Sequence, residues 1–338
     1  MDAIAIAVPY VLFVWWFSTG SVLLLVGVSG RHGALLKAGA GLLFAMSLIG
    51  VAASSQVTTS AGAYCVFTCA ILLWGAVEIS LLAGWVTGPR PKPCPPGCAG
   101  ADRLWYALQA IAYHEFALIV TGALVFAVTV GAPNQLGWWT FAALLILRQS
   151  AKINLFLGVR TLNDELLPAQ VAFLKSYFAR KPMNGLFPFS VTLATASAAF
   201  LAVAATDANA AFEALSYSLL AALVALGALE HWFMVLPVPV VDLWRWSVRT
   251  PPKHAAPVVE PSAKPVLSII PGSAAASRPL ATERPAMLAR QRLEEQFRKA
   301  YRESQAAGGG AQLVPDMAAV ATQTTIIEIN RTTDGRAS

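Results

Sequence analysis

A chain of 338 residues with 57% hydrophobic side chains, 12% charged ones and a mean hydropathy of +0.60 is not a soluble globular domain, which carries about 25% charged residues. Its formal excess of +6 is spread over short connections and a tail, so it marks membrane topology and excludes a nucleic-acid footprint. Four cysteines in two close pairs, Cys65/Cys69 and Cys94/Cys98, exclude a disulfide-framework protein at this length.

Seven apolar runs have the roughly 20 residues a bilayer crossing needs: 4–28, 34–53, 63–85, 104–130, 137–159, 185–205 and 211–236. The first is too long for the core of a signal peptide and has no basic residue before it, so it reads as a retained span. Arg31, His32 and Lys37 follow the first span, and Arg90, Lys92 and Arg103 follow the third. Arg160, Lys175, Arg180 and Lys181 follow the fifth, and Arg245, Arg249 and Lys253 the seventh. The other three connections have no Lys or Arg. This alternation predicts an N-terminus outside and a cytoplasmic C-terminal tail. Most of the tryptophans near span ends, such as Trp15, Trp16, Trp85 and Trp246, read as an aromatic belt.

Between spans three and four, PRPKPCPPGCAGAD is too proline-rich for a helix. Cys94 and Cys98 flank Pro-Pro-Gly within it, which leaves a thiol–disulfide switch or a metal clip open. Residues 161–181 predict an amphipathic surface helix. Leu167, Val171, Leu174, Tyr177 and Phe178 recur at helical spacing, Asn163 or Asp164 serves as N-cap or Pro168 marks the first turn, and Lys175, Arg180 and Lys181 face lipid head groups. The composition changes after Arg249. Residues 1–249 are read as the transmembrane domain and 250–338 as a mostly disordered tail with one charged helix over 287–305, either a dispensable solvated extension or a docking helix for a cytoplasmic partner.

The fifth span carries Arg148, Lys152 and Asn154 inside its apolar run. Ionisable residues at membrane depth mark function by default, because each costs several kcal/mol unless paired. Glu78 in the third span, His114 and Glu115 in the fourth, and Glu230 and His231 in the seventh fall at a similar depth. With a rise of about 1.5 Å per residue, each lies roughly 9–18 Å from the basic end. The expectation is one cluster of three carboxylates, two cations and two imidazoles. Three uses are open for it. It is an ion-pair network that fixes helix register, or a tetrapyrrole site in which His114 or His231 ligates a magnesium porphyrin, or a metal centre built from the carboxylates and imidazoles. The His-Glu and Glu-His pairs are adjacent, about 100° apart on a helix, so one member faces the cluster while the other meets a different helix. That spacing disfavours a di-metal site, which uses Glu-x-x-His. No metal ligand and no catalytic residue is assigned.

The runs KINLFLGVRTLNDELLPAQVAFLKSYF, KPMNGLFPFSVT and LEHWFMVLPVPVVDLWRW resemble the photosynthetic complex assembly protein PuhE family of purple phototrophic bacteria, encoded beside the reaction-centre H subunit. The resemblance runs over about 9–246 and leaves out the tail. It implies an all-α membrane protein that supports assembly of the reaction centre and light-harvesting antenna, with those polypeptides or other assembly factors as partners, and with bacteriochlorophyll or a precursor as its cargo. The family supplies no catalytic residues. The rival reading is an intramembrane metal- or tetrapyrrole-dependent enzyme using the same Glu/His layer. A transporter is disfavoured, because the spans show no half-repeat and no paired Gly/Pro breaks.

Overall fold

The computed structural model of this chain describes residues 3–247. The expected tail and its 287–305 helix lie outside the described residues. Seven helices are long and apolar enough to cross a membrane: α1 (Ala3–Gly27), α2 (Ser29–Ser54), α3 (Ser60–Leu82), α4 (Gly100–Thr129), α5 (Leu136–Leu157), α6 (Phe187–Asp207) and α7 (Ala211–Phe233). No strand is present among the described residues, only an isolated bridge between Val159 and Arg180. The chain is therefore a multi-pass membrane protein.

Successive spans reverse direction, so α1, α3, α5 and α7 run the same way. These four form a ring in which α1 and α5 each pack on both α3 and α7. The other three lie outside it, with α2 against α3, α4 against α5 and α6 against α7. Helical spacing selects the inward face of each ring helix. Ala7, Val11 and Trp15 make the stripe on α1, and Phe67, Ala70 and Trp74 that on α3. Phe141 and Leu144 do the same on α5, and Leu219, Leu223 and Leu226 on α7.

Lipid is as apolar as these side chains, so close packing rather than escape from water holds the helices together. Small residues make that packing tight. Ala194 and Ala198 of α6 meet Val224 and Ala228 of α7.

The 161–181 segment differs from its expected helix. It forms two short 3-10 stretches, Asp164–Leu166 and Ala169–Tyr177, with Val171 out of helical geometry at φ −120°. Pro168 between them donates no backbone hydrogen bond and disfavours helical backbone at Leu167. Asn163 is left-handed (φ 48°) and makes no side-chain cap. Lys175 and Arg180 lie 3.7 Å and 3.5 Å from the Asp164 carboxylate, as exposed ion pairs. A second difference lies between the first two spans. Only Val28 separates α1 from α2, and the turn is absorbed by a kink at His32.

Candidate functional site: a charged layer in the bundle interior

Each apolar stripe of the ring ends in a polar group toward the basic end. One further turn along α3, α5 and α7 brings Glu78, Arg148 and Glu230 onto the face that packs the core, while Trp15 ends the α1 stripe. The change of residue type converts the bundle interior from a dry core into a polar layer. Arg148 Nη2 donates to Glu78 Oε2 at 3.3 Å, tying α5 to α3. The indole N–H of Trp15 donates to a Glu230 oxygen and ties α1 to α7. Glu78 is sealed, but 44% of the Arg148 side chain remains accessible, as does Glu230. These two opposite charges lie within electrostatic reach, yet no ion pair joins them among the described residues.

The adjacent pairs are divided as their angular separation dictates. His114 Nε2 lies 3.9 Å from Glu78 Oε1, while its neighbour Glu115 turns to α5. There the Lys152 ammonium donates to Glu115 Oε1 at 2.6 Å, and the Gln149 amide donates to the other oxygen. On α7, Glu230 faces α1 and His231 faces α5. His231 Nδ1 lies 2.7 Å from the Gly227 carbonyl, an acceptor, so Nδ1 carries the proton. Nε2 then accepts from the Ser150 hydroxyl at 2.9 Å. The layer is thus a chain of separate pairs that staples α3, α4, α5, α7 and α1. Buried charges persist when paired in this way.

Asn154 has a different role from the charged residues. It is fully buried, and its amide donates to Ser150 O and Ser190 Oγ at 2.9 Å and 3.0 Å. Asn184 donates to Asn154 Oδ1 and Gly158 O, both at 3.0 Å, and its Oδ1 accepts from the Leu186 and Phe187 amides. The two asparagines therefore join the C-terminal end of α5 to the first turn of α6, satisfying backbone groups that a helix end leaves open.

After α3 the chain stays against the bundle as a non-helical strap. The Trp85 and Val86 amides donate to Ser80 O. Thr87 O accepts from the His114 amide at 3.0 Å, and the Arg90 amide donates to Gln109 O at 3.2 Å. Gly88 lies so close to α4 that an added Cβ would stand 2.1 Å from Gln109 O. Only glycine admits that approach. The strap thereby fixes the turn of α4 that carries His114.

A tetrapyrrole needs an imidazole nitrogen with a free lone pair and an open face. His231 has neither nitrogen free. His114 has both ring nitrogens without a hydrogen bond, as is Glu78 Oε1, but it is 0% exposed and walled in. The residues as arranged do not fit an axially ligated magnesium porphyrin. Nor does any group of three or more His, Cys, Asp or Glu able to hold a metal occur among the described residues. The orphaned His114 and Glu78 atoms face one another, which makes this the least satisfied point of the layer.

Sequence reasoning missed Trp15, Gln149, Ser150, Asn184 and the Thr87–Gly88 contact. Gln149 and Ser150 lay in plain view beside Arg148 but carry no charge. Trp15 reads as part of the aromatic belt by its place near a span end, and only the α1 stripe Ala7–Val11–Trp15 signals that it points inward.

A family model described as a protein of unknown function, DUF3623, matches residues 1–255. A protein of Rhodobacter capsulatus, described as an uncharacterised 30.4 kDa protein in the puhA 5′ region, is 38% identical over 254 residues, covering 74% of this chain and 93% of that protein. No solved structure matches. The chain belongs to the DUF3623 family.

Proposed function

We propose that this protein is a PuhE-type assembly factor for the reaction centre and light-harvesting complexes of a purple phototroph, acting in the inner membrane with its C-terminus in the cytoplasm. The observation that carries the reading is the likeness to a protein of the puhA 5′ region over nearly that protein's whole length. The charged layer supports a scaffolding role rather than a catalytic one. Its groups are spent on each other: Glu115 on Lys152 and Gln149, His231 on Ser150 and Gly227, Glu78 on Arg148. A general acid or base needs reach to a substrate proton, and Glu78, His114 and His231 are buried, leaving Arg148 and Glu230 as the most exposed charged groups of the layer. Client helices of the reaction centre and antenna are met on the lipid-facing surface. Bacteriochlorophyll or a precursor, where it is involved, is carried by the client or held outside the His114/His231 positions.

The rival reading is an intramembrane tetrapyrrole or lipid enzyme, favoured by the accessible Arg148/Glu230 pair. The test is a gene deletion in a phototrophic host, complemented by the wild-type chain, Glu115→Gln and His231→Ala. Mature complexes are measured by near-infrared absorption of the membranes, and extracted pigments by chromatography. The proposal expects the deletion strain to lose mature complexes while pigment chemistry runs to completion. Accumulation of one defined pigment precursor in the deletion strain and in a stably folded Glu115→Gln variant would establish the enzyme instead.

A further inference from the structure

We propose that Cys94 and Cys98 are a redox-modification site, a dithiol/disulfide pair whose state sets how firmly the strap holds α4 at His114. Three observations carry this. First, the backbone is already shaped for the bond. Gly97 takes φ +77°, a conformation that favours glycine, and the Cys98 amide donates to Pro95 O at 3.1 Å. This Pro-Pro-Gly turn sets the two Cα atoms 6.3 Å apart with the sulfurs bonded, inside the roughly 4.4–6.8 Å range that a disulfide tolerates. Second, both cysteines are half-buried rather than sealed, so a small thiol or a dithiol protein reaches them. Cys65 and Cys69 lie far away in sequence on α3 and are free.

Third, the pair sits at a junction. The Cys94 amide donates to Ser176 Oγ at 2.9 Å. Arg90 reaches Tyr177 OH at 2.7 Å, and that hydroxyl donates to Lys92 O. Arg103 of α4 donates to Tyr177 O at 2.6 Å. From Arg90 the strap runs directly to Gln109 and, through Thr87, to the His114 amide. Opening the five-residue ring restores freedom to a segment whose other end grips α4. The placement of this loop on the cytoplasmic side rests on the topology proposed above. There the ambient thiol pool keeps exposed thiols reduced, so a bond that forms is a regulated one.

The exchange needs a disulfide partner, either glutathione disulfide or an oxidised dithiol protein. One cysteine thiolate attacks a sulfur of that disulfide and expels one partner thiolate, which takes up a proton. The second cysteine then attacks the first, closing Cys94–Cys98 and releasing the other partner thiol. Two electrons and two protons pass from the pair to the partner, which leaves as two thiols.

The test uses the full chain in native membranes with Cys65→Ala and Cys69→Ala, so that only this pair reports. The membranes are equilibrated over a series of reduced-to-oxidised glutathione ratios, trapped with acid and labelled with a mass-tagged maleimide. In parallel, amide exchange of 109–114 is measured at the two extremes. The proposal expects both thiols to disappear together across the series, and exchange at 109–114 to rise about threefold on reduction, as local opening allows. Cys94→Ser with Cys98→Ser should exchange like the reduced protein at every ratio. Thiols that stay free throughout, or a bond that persists at every ratio, would overturn it. So would equal exchange in the two states. None of these readouts depends on complex assembly, so their failure leaves the assembly reading standing, and the reverse holds too.

Discussion

The charged layer predicts a difference in coupling between its two ion pairs that can be worked from geometry. Glu115 and Lys152 are 2.6 Å apart, with only 21% and 19% of their side chains accessible. Glu78 and Arg148 are 3.3 Å apart, and 44% of Arg148 is open. Breaking a buried pair by removing one partner costs about 3–5 kcal/mol, because a charge is left without compensation. The Glu115–Lys152 pair fits that case. Arg148 is much less enclosed, so Glu78→Gln should cost less, about 1–3 kcal/mol after allowing for that access. The assay is a double-mutant cycle, read from unfolding of the detergent-solubilised protein. Glu115→Gln with Lys152→Met forms one cycle and Glu78→Gln with Arg148→Gln the other. Expected coupling is about 2–3 kcal/mol for the first and about 1 kcal/mol for the second, within the range for residues in one network. Additivity within about 0.5 kcal/mol in the Glu115/Lys152 cycle would refute the reasoning, because two groups that share a hydrogen bond at depth cannot be independent.

Other consequences follow from single contacts. Asn184→Ala removes donors to Asn154 and Gly158 and the acceptor for the Leu186 and Phe187 amides. At about 1 kcal/mol per buried hydrogen bond, it should lower stability by about 2–4 kcal/mol, with Asn184→Asp intermediate because the acceptor is kept; thermal unfolding in detergent checks both. Gly88→Ala places a methyl group against Gln109 O, so the strap must lift, and amide exchange at His114 should rise with little change in α7. Ser150→Ala leaves His231 Nε2 without its partner and should cost about 1–2 kcal/mol. A Ser150→Thr variant that keeps the hydroxyl should recover most of that loss in the same unfolding assay.

Much of the architecture was legible because a membrane imposes few solutions. Seven apolar runs with basic residues after every second one define the spans, and the structure returns seven helices of spanning length. The layer was legible for the same reason: a glutamate or arginine inside an apolar run is conspicuous. Adjacent His-Glu pairs even foretold their division between neighbouring helices. What failed had physical causes. Residues 161–181 carry helical spacing, but Pro168 breaks the segment into two 3-10 stretches. The pairing of Glu230 with Trp15 depends on α1 closing the ring against α7, and no periodicity within either helix encodes which helix lies opposite. Asn154 looked like part of the charged layer because of its neighbours, whereas its partners Ser190 and Asn184 are supplied by the next span and its leading loop.

The most direct test of the assembly reading is to ask what the protein touches in its own membrane. The full chain carries a photo-crosslinking residue at lipid-facing positions of α4, Phe116 or Ile119, both strongly exposed at 67% and 62%. It is expressed in a phototrophic host while pigment–protein complexes are forming, irradiated, purified and analysed by mass spectrometry. The account predicts crosslinks to reaction-centre or antenna polypeptides that fade once assembly is complete. Crosslinks to lipid alone, together with a stoichiometrically bound tetrapyrrole intermediate in the purified protein, would contradict it.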